Sequence, residues 1–422
     1  MKYSSRKVNG LFSLVILPWF SVIYIFTRWY TINTLLNTAL FIIAAVIILQ
    51  LFSTCKFKKY FLPTFILLVL IYVDYFVGML YSTYLLGQIS YSVVFVFCLF
   101  MVLAYAQNTA IGKKTFELLV VFSILSCGAI ILQAIFPQAI NAVNRFVLQN
   151  EAYNTMYLTY LKGYMSGVNG YVYLSAIFSL ILFGWAFIDL MIRLAKRHPV
   201  SWMDLAIMAA SILTLILTHK RAMIVCFFIA TLITIFIFLR QRPRIIGKVL
   251  FIVFLLMIIS YILVTKTEFG QALMLRFTDV EDISSGRMYI YSSVLKDIQG
   301  GLLFGKGTGS SYTIFSSGIH NIYLQILHDN GIVGLSLWVV LFIVNLFSGI
   351  KRAIESHFDP DSYLNVFIQI VFLVYGFFGN PLFNTALLTL YFCTIGYTFS
   401  YSLIEKRGLN DENWNSYFSE ST

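Results

Sequence analysis

The sequence predicts an all-α, polytopic integral membrane protein of about twelve transmembrane helices, with a helical cap built from one long external loop. Three observations carry this. Apolar residues make up 59% of the 422 positions and charged residues only 11%, against about 45–50% and about 25% in soluble proteins. The apolar residues come in runs of about twenty, the length that crosses a bilayer. The basic residues gather in short clusters after every second run, as cytoplasmic loops do. The net charge of +11 therefore reads as membrane orientation, not as a nucleic-acid-binding surface.

The runs lie at 10–28, 34–54, 61–80, 85–106, 115–136, 168–192, 202–218, 222–239, 245–264, 331–349, 363–380 and 383–403. The first has no small-x-small cleavage site and reads as a retained span, not a signal peptide. Lys2, Arg6 and Lys7 precede it. Lys56, Lys58 and Lys59 follow the second run, and Lys113 and Lys114 the fourth. Arg193, Lys196 and Arg197 follow the sixth, and Arg240, Arg242, Arg244 and Lys248 follow or border the eighth. Lys351 and Arg352 follow the tenth, and Lys406 and Arg407 the twelfth. This places both termini in the cytoplasm. The chain divides into 1–264 with nine spans, 265–330 as the large external loop, 331–404 with three spans, and a polar tail at 405–422. No internal repeat and no low-complexity tract is visible.

Basic residues on the opposite side run against the orientation bias, so each asks for a reason. Arg28 beside Trp29 and Tyr30 reads as an interfacial anchor. Most of the others fall in two long external segments, 137–167 and 265–330. Loops this long are usually functional. The second carries its own helical pattern. Ser284-Ser285-Gly286 opens a run from Met288 to Ile298. A turn rich in glycine follows, from Gly300 to Gly309, and then a run from His320 to His328 ending at Asn330-Gly331. The cysteines, Cys55, Cys98, Cys127, Cys226 and Cys393, fall in or beside spans and form no CxxC pair. Neither disulfides nor a zinc site are indicated.

Several residues are candidates for chemistry. His320 heads a helical run just before a span. On a 3.6-residue period it shares a face with Leu324, Leu327 and His328. An imidazole there either acts as a general base near neutral pH or caps its helix; His328 reads as structural. Arg287 sits at a helix start, where unpaired N–H groups and the dipole favour anions, and its planar fork suits phosphate. Its alternative is a salt bridge to Asp279, Glu281 or Asp282. Those acids match no metal-binding spacing. Lys220 and Arg221 occupy a tight external turn, where they either bind a diphosphate or snorkel to the interface. Asp74 is the one acid deep inside a span. An intramembrane carboxylate is a functional hypothesis by default, but a single one is a weak sign of a proton-coupled pump.

His320-Asn321, nine further residues, and then Gly331-Ile332-Val333-Gly334 read as H-N-x9-G-x-x-G. This resembles the hallmark of the O-antigen ligase/polymerase superfamily (Wzy and WaaL types). The Gly286-Arg287 run and the turn Phe304-Gly305-Lys306-Gly307-Thr308-Gly309 resemble that family's segment before the motif. Lys220-Arg221-Ala222 is similar to its Ser-Arg-Gly-like element, although here the turn reads Thr-His-Lys-Arg-Ala. Ser166-Gly167-Val168-Asn169-Gly170 is similar to another recurrent element.

The resemblance implies a GT-C-like glycosyltransferase in the bacterial inner membrane, with its active site on the periplasmic side. The donor and acceptor would be undecaprenyl-diphosphate-linked oligosaccharides, and a chain-length regulator is a further expected partner. Arg221, Arg287 and Lys220 would hold the diphosphate, and His320 would be the catalytic base. Asn321, Gly286, Gly331 and Gly334 would be structural motif positions. No cofactor or metal is expected, since arginines can stabilise the leaving group where other glycosyltransferases use a divalent ion. The Phe-, Ile- and Tyr-rich character favours a polymerase of O-antigen, capsule or exopolysaccharide over a ligase acting on lipid A-core. A flippase or permease is the rival of another class, but transporters show repeated halves and several intramembrane charges.

Overall fold

A computed structural model describes residues 2–31, 61–243, 286–315, 318–356 and 358–400, with isolated positions at 42–46 and 247–271. Among the described residues the regular structure is helical, and extended backbone pairs only in an isolated bridge between Tyr30 and Leu148. The helices follow the apolar runs. The first four are α1 (Lys2–Phe26), α2 (Leu62–Leu80), α3 (Leu85–Gln107) and α4 (Thr109–Ile135). Two shorter helices, α5 (Pro137–Val147) and α6 (Asn150–Leu161), fill the first long external segment. Next come α7 (Val172–Ala195), α8 (Trp202–Leu217) and α9 (Arg221–Gln241). In the second external segment, α10 (Arg287–Asp297) runs into a 3-10 turn at Ile298–Gly300, and α11 (Ser311–Ile314) is a single turn. The last three are α12 (Ile322–Glu355), α13 (Pro360–Tyr375) and α14 (Thr385–Phe399). The expected spans at 34–54 and 245–264, but for isolated positions, lie outside the described residues, as does the tail.

Local chemistry sets where these helices begin. Pro63, Pro137 and Pro360 stand in first turns, where a missing N–H costs nothing. The side chains of Asn108, Asn321 and Asn384 each accept from backbone N–H groups of the turn they open.

The bundle is built inside out from α7, whose apolar stretch is 89% buried. A helix apolar on all sides belongs in the middle. Next to it, α13 and α14 are buried along almost their whole lengths. By contrast α2, α9 and α12 keep an apolar face outward, with Ile66, Leu70, Phe228, Phe236, Ile343 and Phe347 exposed. An apolar surface of that extent is untenable in water and is what lipid requires. Helices α2, α4, α7, α9 and α12 are long and apolar enough to cross a membrane, and shorter apolar helices stand at the other expected positions that fall among the described residues. The chain is an all-α multi-pass membrane protein.

Two details differ from the sequence reading and one agrees with it. The sixth span begins at Val172 and not at 168, because residues 166–170 form a hydrogen-bonded bracket. The run from His320 and the tenth span meet at Gly331, as the sequence indicates: the backbone there is non-helical, and α12 is two helices joined across this kink. Arg352, counted among the loop charges, is buried over the Tyr397 ring at 3.6 Å. It donates to the Tyr397 carbonyl and, at 2.9 Å, to Ser400 Oγ, satisfying the end of α14.

Candidate active site

Three helix starts carry the candidate residues. Between α8 and α9 the chain turns within Thr218 to Lys220. His219 takes a left-handed conformation (φ 51°), Lys220 is the N-cap of α9 and Arg221 its first residue. Gly286, also left-handed (φ 80°), is the N-cap of α10, and Arg287 is its first residue. Asn321 caps α12, accepting from the N–H groups of Tyr323 and Leu324 at 3.0 and 3.1 Å. His320 stands immediately before it at φ 57°. A cation at a helix start opposes the helix dipole. Each start thus concentrates positive charge.

The starts meet around His320. Burial, and then the positive charges of Arg287 and Lys220, hold its imidazole below the ordinary value of 6.5. That both cations act on one ring brings the α9, α10 and α12 starts into a single site, with Arg221 adjoining Lys220 in the chain. Lys220, Arg221, Arg287, His320 and Asn321 are all half-buried, sheltered yet within reach of a ligand. A left-handed backbone is uncommon for a residue with a side chain and costs of order 1–3 kcal/mol. His320 is held there by its neighbours. The Ile322 N–H donates to the Gly376 carbonyl at 2.8 Å, and the Tyr291 hydroxyl lies 3.4 Å from the His320 carbonyl.

Tyr291 is a site residue that the sequence reading missed. It follows Arg287 by one helical turn on α10, so the i, i+4 spacing was the available signal. The earlier placement of His320 on one helical face with Leu324, Leu327 and His328 does not hold, because His320 precedes the cap. Leu324 and Leu327 pack against the α10 side of a small apolar cluster of Val294, Ile298 and Ile319. His328 is fully buried between Asp297 and Asp329. Asp74 is half-buried on α2 against Gly334 and Asn330, away from the three starts. Asp279, Glu281 and Asp282 lie outside the described residues.

The remaining motif positions shape the site's supports. Gly331 adopts φ 68°, ψ −167° and breaks α12. A Cβ there would stand 2.3 Å from the Leu303 carbonyl oxygen, so only glycine lets the 301–309 turn press against the helix. Gly334 leaves room in the same way, since its Cβ would meet Asp74 Oδ2 at 2.7 Å. The nine-residue spacing therefore measures one short helix, from the Asn321 cap to the break where the glycine turn docks. Ser166 and Gly167 give their N–H groups to Gln133 Oε1 at 3.0 and 2.8 Å. Asn144 Nδ2 donates to the Gly167 carbonyl at 2.8 Å. Beside this bracket the Met165 N–H holds the Leu217 carbonyl at 2.9 Å, and the Tyr164 ring lies 5.4 Å from His219. The 166–170 element thus supports the turn that presents Lys220.

No curated protein matches the chain. Residues 206–339 match the family described as O-Antigen ligase, a stretch that contains Lys220, Arg221, Gly286, Arg287, His320, Asn321, Gly331 and Gly334. The match covers about a third of the chain, and over that stretch it agrees with the motif: residues 206–339 are similar to the O-antigen ligase/polymerase superfamily of glycosyltransferase-like membrane enzymes.

Proposed function

We propose that the protein is a polysaccharide polymerase. It transfers a growing glycan from undecaprenyl diphosphate to a hydroxyl of a new lipid-linked repeat unit, making O-antigen, capsule or exopolysaccharide. The observation that carries this reading is that Lys220 and Arg287, at two helix starts, both act on a half-buried His320 at a third, with Arg221 next to Lys220 in the chain. Helix starts and guanidinium groups both suit phosphate oxygens.

In the proposed step the acceptor hydroxyl attacks the anomeric carbon as the bond to the diphosphate oxygen breaks. The electron pair stays on the diphosphate, whose charge grows, and Arg221, Arg287 and Lys220 stabilise it. The hydroxyl proton passes to neutral His320. One direct displacement inverts the anomeric centre. Cations do the electrostatic work here, so a divalent metal is not required. The site faces the periplasm of the inner membrane, both termini lie in the cytoplasm, and a chain-length regulator is an expected partner. Reporter fusions after Phe315 should then read external and fusions after Arg352 cytoplasmic.

The second reading is an O-antigen ligase that moves finished glycan onto lipid A-core; the description of the matched family favours it. The aromatic- and isoleucine-rich composition favours the polymerase. Expression in polymerase-null and ligase-null strains separates the two. Restored ladders of increasing chain length in the polymerase-null strain support the proposal. Restoration only in the ligase-null strain replaces it.

A further inference from the structure

His328 lies outside the proposed chemistry, yet both of its ring nitrogens are committed. Its side chain is fully buried. Nε2 stands 2.9 Å from Asp297 Oδ2 and Nδ1 stands 2.8 Å from Asp329 Oδ1. Two carboxylates on opposite edges of one ring are an unusual arrangement. Both nitrogens can donate only when the ring carries both protons, as imidazolium.

The two acids lead to different parts of the site. Asp297 is the last residue of α10, whose first residue is Arg287. Asp329 is buried and accepts from the glycine turn: the Gly309 and Ser311 N–H groups at 3.0 Å each, the Ser310 hydroxyl at 3.2 Å and the Ser311 hydroxyl at 3.0 Å. That carboxylate is fully occupied, which removes Asp329 as an alternative proton acceptor for a substrate. His328 itself sits on the short helix that His320 and Asn321 open. One imidazole therefore joins α10, the glycine turn and the start of α12. The groups facing it are Asp297 from α10, Asp329 from α12, Ser310 Oγ at 3.5 Å and the Phe315 ring. From the turn, Lys306 meets it through its backbone N–H, which donates to the His328 carbonyl at 2.9 Å. Besides this clamp, α10 rests on the small apolar cluster around Val294 and Ile298, and its Tyr291 hydroxyl lies 3.4 Å from the His320 carbonyl.

We propose that His328 is a positioning residue, a protonated clamp between Asp297 and Asp329 that fixes the Arg287 helix against the His320 helix and releases it when the ring loses a proton. Neutral imidazole keeps one donor only. One carboxylate then faces a lone pair, and α10 loses a charge-assisted tie. The clamp itself follows from geometry alone; its effect on glycan transfer rests on the proposed function.

Hydrogen-exchange protection of the α10 amides, corrected for intrinsic rates, tests the clamp without any assay of transfer. In the wild-type protein protection should fall about tenfold or more between pH 7 and pH 9.5, the size expected from losing one hydrogen bond to a charged group. In His328→Gln it should be low at both pH values and no longer depend on pH. Asp297→Asn, a change at a side chain 39% exposed, should fold normally and show the transition at lower pH. Equal protection at pH 7 and 9.5 in the wild type, or an unchanged transition in His328→Gln and Asp297→Asn, overturns the clamp. A second arm measures transfer. Activity of the wild type should decline on the alkaline side, and Asp297→Asn should move that decline to lower pH. If protection behaves as described but transfer shows no alkaline decline, the clamp stands and its coupling to the proposed reaction is rejected.

Discussion

His320 and His328 are eight residues apart, and their surroundings are opposite. His320 is half-buried, left-handed in backbone, and faces the cations of Arg287 and Lys220, which add to burial in disfavouring its charged form. His328 is fully buried and faces two carboxylates. One residue type thus stands in two environments suited to different tasks. A ring kept neutral among cations can accept a proton beside an anionic leaving group. A ring gripped by carboxylates cannot be spared for chemistry, but it can tie elements together. What distinguishes them is which helices the fold brings to each, not any property of the residues.

The largest expected effect tests the first half of that contrast. His320→Ala should lower transfer by about 10²–10⁴-fold, the usual worth of a general base, while the protein still inserts in the membrane. Wild-type rates in the purified variant would move the base elsewhere. Asp329 and Glu151 are the next candidates by sequence. Asp329 is consumed by the glycine turn, and Glu151 is exposed in the first turn of α6.

Next in size are the cations. Arg287→Ala and Arg221→Ala should each cost about 10²–10³-fold, as when one electrostatic donor to a developing anion is lost. Arg287→Lys should recover only part of this, because an ammonium lacks the bidentate fork. Full activity in either alanine variant removes that residue from the diphosphate site. Chelators should leave the rate unchanged, and restoration of a chelator-treated enzyme by a divalent ion would contradict the assignment of this role to cations.

The pH profile sharpens the comparison further. A base works in its neutral form. With its proton affinity lowered by burial and then by Arg287 and Lys220, His320 stays neutral to below the ordinary value of 6.5 before activity falls. The acid limb should therefore lie below pH 6.5. Lys220→Gln should move it upward, and a residual-activity assay of His320→Ala should show no such limb. An acid limb that stays put in Lys220→Gln argues against the electrostatic link between the α9 and α12 starts. The smallest effect belongs to Asp74. Its place against Gly334 and Asn330 predicts that Asp74→Asn keeps most transfer activity, and loss of activity at constant protein level would assign it a direct role.

The span pattern, the helical external segment and the candidate residues were legible in the chain itself, because lipid imposes length and apolarity on every crossing and charge bias on every loop. The H-N-x9-G-x-x-G spacing was legible too, since a cap residue and a helix-breaking glycine are local features. The approach of Lys220 and Arg287 to His320 was not, because these residues are brought together from three helix starts far apart in sequence. Nor was the assignment of His328 to two carboxylates, or the burial of Arg352 against Tyr397. Pairings of that kind depend on which helices pack against one another. A local pattern of residues does not encode that, and the bundle decides it through the burial of α7, α13 and α14 at its centre.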